Sequence, residues 1–198
     1  MINKSEIETF ESNGYLIIKD FYDINKDIFP IWKDIYEIIG ILINKYNLNI
    51  EREPFDGQNF DQGYIEIISH DRKFGAEVYD AVKQLPSFIR LCCNPINTEL
   101  FSLLRKTETI GIAGNGMGIR INNPLEEKYR AEWHQDYNSQ LRSPDGLVFW
   151  SPLVPVTKEN GPVVLCKGSH KAGIAKVTVD KSSTYPLKIA DEEALHLY

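Results

Sequence analysis

The chain has 198 residues, with 22 Lys and Arg against 28 Asp and Glu, and a formal charge of −6. At 42% hydrophobic, 11% aromatic and 25% charged, its composition is that of a globular chain with enough apolar surface for a core, of a length that suits one domain. The acidic balance argues against a phosphate-binding surface spread over the molecule, so nucleic acid is not an expected partner.

From the N-terminus, Ser5-Glu6-Ile7-Glu8 has the pattern of a capping box, and a short helix from there is predicted to stop at Asn13-Gly14. The segment carries Lys4, Glu6 and Glu8 and no apolar run, unlike a secretory leader. Tyr15 to Ile18 reads as a strand. Pro30 can open a helix, and Ile31, Ile35, Ile38, Ile39 and Leu42 repeat at helical spacing. The most apolar stretch, Ile35 to Ile43, contains Glu37 and Gly40 and falls well short of the roughly 18 apolar residues of a membrane span. A loop rich in Pro, Gly, Asn and Asp runs from Glu51 to Gly63. Phe74, Val78, Ala81, Val82 and Leu85 form another amphipathic stripe, and Pro95 begins a further one with Leu100, Leu103 and Leu104.

After Lys106 the punctuation changes. Gly111, Gly114, Gly116 and Gly118 alternate with isoleucines and lack the Gly-Lys-Ser/Thr of a phosphate loop, so two strands and a Gly-rich turn are expected. Gly146 to Trp150, Val163 to Cys166 and Ala175 to Val179 continue a strand series. Residues 1–106 therefore read as mostly helical and 108–180 as short strands. Strands at this spacing suggest a sandwich or jelly roll braced by the helical half. Three cysteines, two of them adjacent (Cys92 and Cys93), give no disulfide framework, and a reducing cytoplasm is the simplest home.

The chemistry concentrates in Glu132-Trp133-His134-Gln135-Asp136-Tyr137. In an extended segment, side chains at i and i+2 share a face, so His134 and Asp136 converge while Gln135 points away. One imidazole nitrogen and one carboxylate oxygen from one strand are two parts of a 2-His-1-carboxylate triad, which suits Fe(II) and leaves open positions. The spacing equally allows a three-ligand zinc site or a plain hydrogen-bonded pair.

With its surroundings, this stretch resembles the phytanoyl-CoA dioxygenase family of Fe(II)/2-oxoglutarate-dependent oxygenases. The likeness rests on Phe10 with Asn13-Gly14-Tyr15-Leu16-Ile17-Ile18-Lys19-Asp20-Phe21, on Trp133-His134-Gln135-Asp136, and on Phe149-Trp150-Ser151-Pro152-Leu153 followed by Glu159-Asn160-Gly161-Pro162 and Gly168-Ser169-His170-Lys171. It spans positions 10 to about 171. The resemblance implies an α+β, mainly β fold: a double-stranded β-helix (jelly roll, cupin-like) in a single domain over 1–198, with bracing N-terminal helices. It also implies Fe(II) on His134 and Asp136, with 2-oxoglutarate and O2 as co-substrates and a small organic molecule as the substrate hydroxylated. In halogenating relatives the position of Asp136 is small, so its carboxylate points to a hydroxylase. Gln135 and Trp150 match positions that lie against 2-oxoglutarate in the family. An outward-facing amide and a core indole are the alternatives. Arg120, on the strand before the motif, is placed to meet a carboxylate of co-substrate or substrate. An ion pair with Glu126 or Glu127 is its alternative.

The pattern departs from the family at its end. A second histidine ligand, then an arginine for 2-oxoglutarate, normally follow the Gly-Ser-His-Lys signature. Here no Arg follows Arg142, His196 stands close to the last residue, and Asp191-Glu192-Glu193 reads as the opening of a helix. One expectation is that the chain is the front part of a longer protein: the implied activity is then the full-length parent's, and this chain, lacking its last strands and holding only two ligands, binds Fe(II) weakly and can be inactive alone. A second recruits His196 or His170 as third ligand. A third is a non-catalytic jelly-roll module for ligand binding or interaction. Substrate identity and oligomeric state are not legible.

Overall fold

The computed structural model describes residues 2–123, 126, 131–138, 143–179 and 187–196, except for the side chains of Glu193, Leu195 and His196. Within it the chain forms two compact units. One comprises Asp20–Asn97 with Met117–Ile121, and the other Met1–Lys19, Thr98–Gly116 and Asn122–Tyr198.

The first unit is helical. Asp23 caps a π-helical turn, Ile24–Ile28, by accepting from the Lys26 N–H at 2.9 Å. Helix α2 (Phe29–Lys45) follows, with Pro30 in its first turn where a missing N–H costs nothing. It is the unit's spine, packing on the π-helical turn and on α3 (Tyr64–His70), α4 (Arg72–Val82) and α5 (Pro86–Cys92). The predicted stripe is its buried face, with Ile43 replacing Ile38: Ile31, Ile35, Ile39, Leu42 and Ile43 are all buried. Each such side chain contributes about 1.5–3 kcal/mol of apolar burial. Opposite lie Phe74, Val78 and Val82 of α4, Ile67 of α3 and Phe88 of α5, also buried.

Gly40 has a specific task in α2. A glycine inside a helix costs roughly 0.5–1 kcal/mol relative to alanine. A Cβ there would lie 2.6 Å from the Arg52 guanidinium. Its absence lets Arg52 lie 3.4 Å above the Tyr36 ring and donate to the Tyr36 carbonyl at 2.7 Å. The loop from Glu51 to Gly63 is thereby tied to α2.

Polar groups close the unit's seams. Asn97 donates to the carbonyls of Leu91 and Cys92 at the end of α5, and accepts from the Tyr22 hydroxyl at 2.7 Å. Burial pushes the Tyr22 phenol up to about 12. Lys45 and Tyr46 both donate to Glu77, which holds that carboxyl below its ordinary range. Glu77 therefore adds stability above its unfolded value of about 4.3, and this is lost as pH falls through the lower folded value. Glu77→Gln is expected to flatten the acid limb of a stability-versus-pH curve below pH 4.3, measured by urea unfolding. An unchanged limb would show that the carboxylate contributes nothing.

In the second unit, α1 (Lys4–Asn13) starts on a capping box two residues earlier than the Ser5–Glu8 pattern suggests. Asn3 accepts from the Glu6 N–H at 3.1 Å while Glu6 accepts from the Asn3 N–H at 2.7 Å. It stops at Gly14, as expected, with φ +79°. Helix α6 (Pro95–Arg105) crosses the division between the units in sequence. Beyond it come short 3-10 turns at Gly114–Gly116, Asp136–Asn138, Lys158–Asn160 and Ser169–Ala172. Strand β1 (Thr178–Val179) pairs antiparallel with β2 (Leu187–Lys188) in the register Thr178↔Lys188, and α7 (Asp191–His196) follows. The helix expected after the acidic Asp191-Glu192-Glu193 is thus present.

Of the strand series expected over 108–180, only Thr178–Val179, inside Ala175 to Val179, forms among the described residues. Among the described residues β1 and β2 form the only sheet. Tyr15 to Ile18, Ile110 to Ile112, Ile119 to Ile121, Gly146 to Trp150 and Val163 to Cys166 lie outside any ladder. A strand exists only where a neighbour supplies the opposing N–H and C=O groups, and among the described residues these segments have no such ladder partner. Val148, Trp150, Val164 and Leu165 are each more than half exposed. Alternating apolar residues mark what such a segment can bury and do not supply its partner. Among the described residues no helix is long and apolar enough to cross a membrane.

Candidate metal centre

The sequence places His134 and Asp136 on one strand face, and the structure brings them together by another route. The backbone bends at Trp133, and Asp136 opens a 3-10 turn in which the Asn138 N–H reaches the Gln135 carbonyl at 3.2 Å. Tightening the backbone here, rather than extending it, sets His134 Nε2 3.6 Å from Asp136 Oδ1. That exceeds a hydrogen bond and is about 0.6 Å longer than the roughly 3 Å between cis donors each about 2.1 Å from one ion. Both side chains are partly open to solvent, at 33% and 26%.

The second imidazole nitrogen fixes the first. His134 Nδ1 lies 2.6 Å from the Glu132 carbonyl oxygen, which can only accept. In the neutral ring the hydrogen is therefore on Nδ1 and the lone pair on Nε2, the form a metal ligand requires. One neutral nitrogen and one carboxylate oxygen suit a divalent ion such as Fe(II) as two members of its ligand set. Among the described residues no group of three or more His, Cys, Asp and Glu gathers around such a point.

His170, one expected source of a third donor, is engaged elsewhere in the same unit. Its Nε2 donates to the Glu11 carbonyl at 3.1 Å, and its Nδ1 edge lies against Gly14, where a Cβ would come within 2.3 Å. His196 lies outside the described side chains.

Gln135 makes two bonds through its side chain. Its Nε2 donates to the Gly173 carbonyl at 2.9 Å, and its Oε1 accepts from the Ala175 N–H at 2.9 Å. Trp150 is half exposed on its unpaired segment. Arg120 is exposed and belongs to the helical unit, whereas the His134–Asp136 pair lies in the other. Of its two expected acidic partners, Glu127 lies outside the described residues. The structure thus gathers His134, Asp136 and Gln135, and leaves Trp150 and Arg120 where the fold put them.

Sequence reasoning missed the attachment of Gly168–Ala175 to both α1 and the motif. Its traces were Asn13-Gly14 and Gly168-Ser169-His170-Lys171, each visible alone, with nothing in one sequence to pair them.

A family model described as "Phytanoyl-CoA dioxygenase (PhyH)" matches residues 10–194, most of the chain. Comparison with curated proteins and with solved structures found no match.

Proposed function

The chain belongs to the phytanoyl-CoA dioxygenase family, and from that premise we propose that it serves an Fe(II)- and 2-oxoglutarate-dependent hydroxylation of a small organic substrate. The family as a whole comprises dioxygenases. The observation that carries the finer reading is the 3.6 Å approach of His134 Nε2 to Asp136 Oδ1, with the histidine tautomer set by Glu132. The cupin-like fold is part of the same proposal. The alternating apolar residues of Gly146–Trp150 and Val163–Cys166 support it; the two-stranded sheet by itself does not.

When bound, Fe(II) couples the oxidative decarboxylation of 2-oxoglutarate by O2 to oxidation of the substrate. The chain's residues orient. Glu132 holds the Nδ1 hydrogen of His134, so that Nε2 offers its lone pair in a fixed direction. Asp136 supplies a negative charge that offsets part of the ion's, and its 3-10 turn fixes where that charge sits. Trp150, in the same unit as the pair, is the chain's candidate for a wall against 2-oxoglutarate. The substrate is taken as a small molecule, with neither nucleic acid nor a membrane as partner and the cytoplasm as the setting.

The test is turnover. With Fe(II), 2-oxoglutarate, O2 and substrate, the protein is expected to release succinate, and His134→Ala to abolish that release while keeping its helical circular dichroism. Succinate formation that persists in His134→Ala removes the proposal. A second reading, a non-catalytic ligand-binding module, is favoured by the lack of a three-residue ligand cluster among the described residues. Calorimetry separates the two, because a module of that kind shows no 2-oxoglutarate binding that depends on prior Fe(II).

A further inference from the structure

The last carbonyls of a helix have no partner within it, and α1 carries no basic residue in its last turn to meet them. Two of these carbonyls are met from far along the chain. The Gly168 N–H donates to the Asn13 carbonyl at 2.8 Å, and His170 Nε2 donates to the Glu11 carbonyl at 3.1 Å. The Gly-Ser-His-Lys turn therefore caps α1. Within this turn the Lys171 N–H reaches the Gly168 carbonyl and the Gly173 N–H reaches the His170 carbonyl, so the backbone is continuous and hydrogen-bonded to Gly173. At Gly173 and Ala175 the Gln135 carboxamide takes hold, one bond in each direction, both at 2.9 Å.

Resting on the metal-site reading above, we infer that Gln135 is a positioning residue. Its side chain fastens the His134–Asp136 turn to Gly173 and Ala175, on a strut whose far end is anchored to α1 by Gly168 and His170. A carboxamide satisfied on both sides by backbone is held in one rotamer, and it lies between the two proposed ligands in sequence. Fixing it fixes the turn on either side. The two proposed ligands are then held about 3.6 Å apart by a frame rather than by a surface loop. This differs from a role as a co-substrate contact, because the orientation of the carboxamide is set by backbone on both sides.

Gln135→Met keeps the side-chain length and removes both hydrogen bonds. In the full chain, Mn(II) affinity measured by electron paramagnetic resonance is expected to fall roughly 10–100-fold, the cost typical of losing a partner that orients a ligand. Hydrogen exchange of the Ala175 amide in the metal-free chain should accelerate. Once Mn(II) is saturating, 2-oxoglutarate affinity should be unchanged. Ala175→Pro deletes the same N–H from the other side and should weaken Mn(II) in the same direction. Faster Ala175 exchange with unaltered Mn(II) affinity overturns the inference. So does a loss of 2-oxoglutarate affinity with Mn(II) binding intact, which would restore Gln135 as a co-substrate contact. Equal Mn(II) binding by the unaltered chain and His134→Ala would instead bring down the metal-site reading, and the inference with it.

Discussion

His134→Ala and Asp136→Ala are each expected to weaken Mn(II) binding by at least the roughly 10–100-fold that loss of an outer partner costs, and the double variant to be little weaker than either single one. The argument is chelation. A first donor pays most of the entropy of capturing the ion, and a second, 3.6 Å away on a turn of fixed geometry, then binds at high effective concentration. Removing either returns the ion to a one-armed, water-filled complex, so the second removal costs little more. Independent donors on separate surfaces would give losses that add. Asp136→Asn preserves shape and removes charge, and should fall between the unaltered chain and Asp136→Ala. Titration of the three variants and the double variant checks all of this. Additive losses would show that His134 and Asp136 do not share one ion. Acid should weaken binding in the unaltered chain, since protons compete for both donors.

The parts legible in the sequence were those whose information is local. The stripe from Ile31 to Leu42 could be read because every fourth residue or so meets the same neighbours, whatever they are. The stop at Asn13-Gly14 was legible because a left-handed residue leaves a glycine. Proline placed the starts of α2 and α6 for a similar reason. The segments around Val148 and Val164 were read as strands from alternation, but pairing is a property of two segments, and one sequence does not say which two. The convergence of His134 and Asp136 was anticipated from strand geometry and achieved by a 3-10 turn. Short-range proximity survives a change of backbone type. Gln135 shows the limit most clearly. Its partners, Gly173 and Ala175, contribute only backbone atoms, which no side-chain pattern advertises.

That same non-local layer makes Gly14 a severe test. Gly14→Ala is expected to destabilise the chain by about 0.5–3 kcal/mol. An L-residue forced into the left-handed region costs about 1–2 kcal/mol, and Gly14 sits at φ +79°. The added methyl would also lie 2.3 Å from His170 Nδ1, so the ring must move and release its bond to the Glu11 carbonyl, worth about 0.5–1.5 kcal/mol. The reduced freedom of the unfolded chain offsets part of this, by about 0.4–1 kcal/mol. His170→Ala by itself should cost only the hydrogen bond and the packing of the ring. In the double variant the ring is no longer there to be struck, so only the backbone strain is added. Urea unfolding of the four proteins should therefore give a double variant more stable than the sum of the singles predicts, by roughly 0.5 kcal/mol or more. Strict additivity would mean that His170 does not rest on Gly14, and the anchoring of the strut to α1 would fail at its first joint.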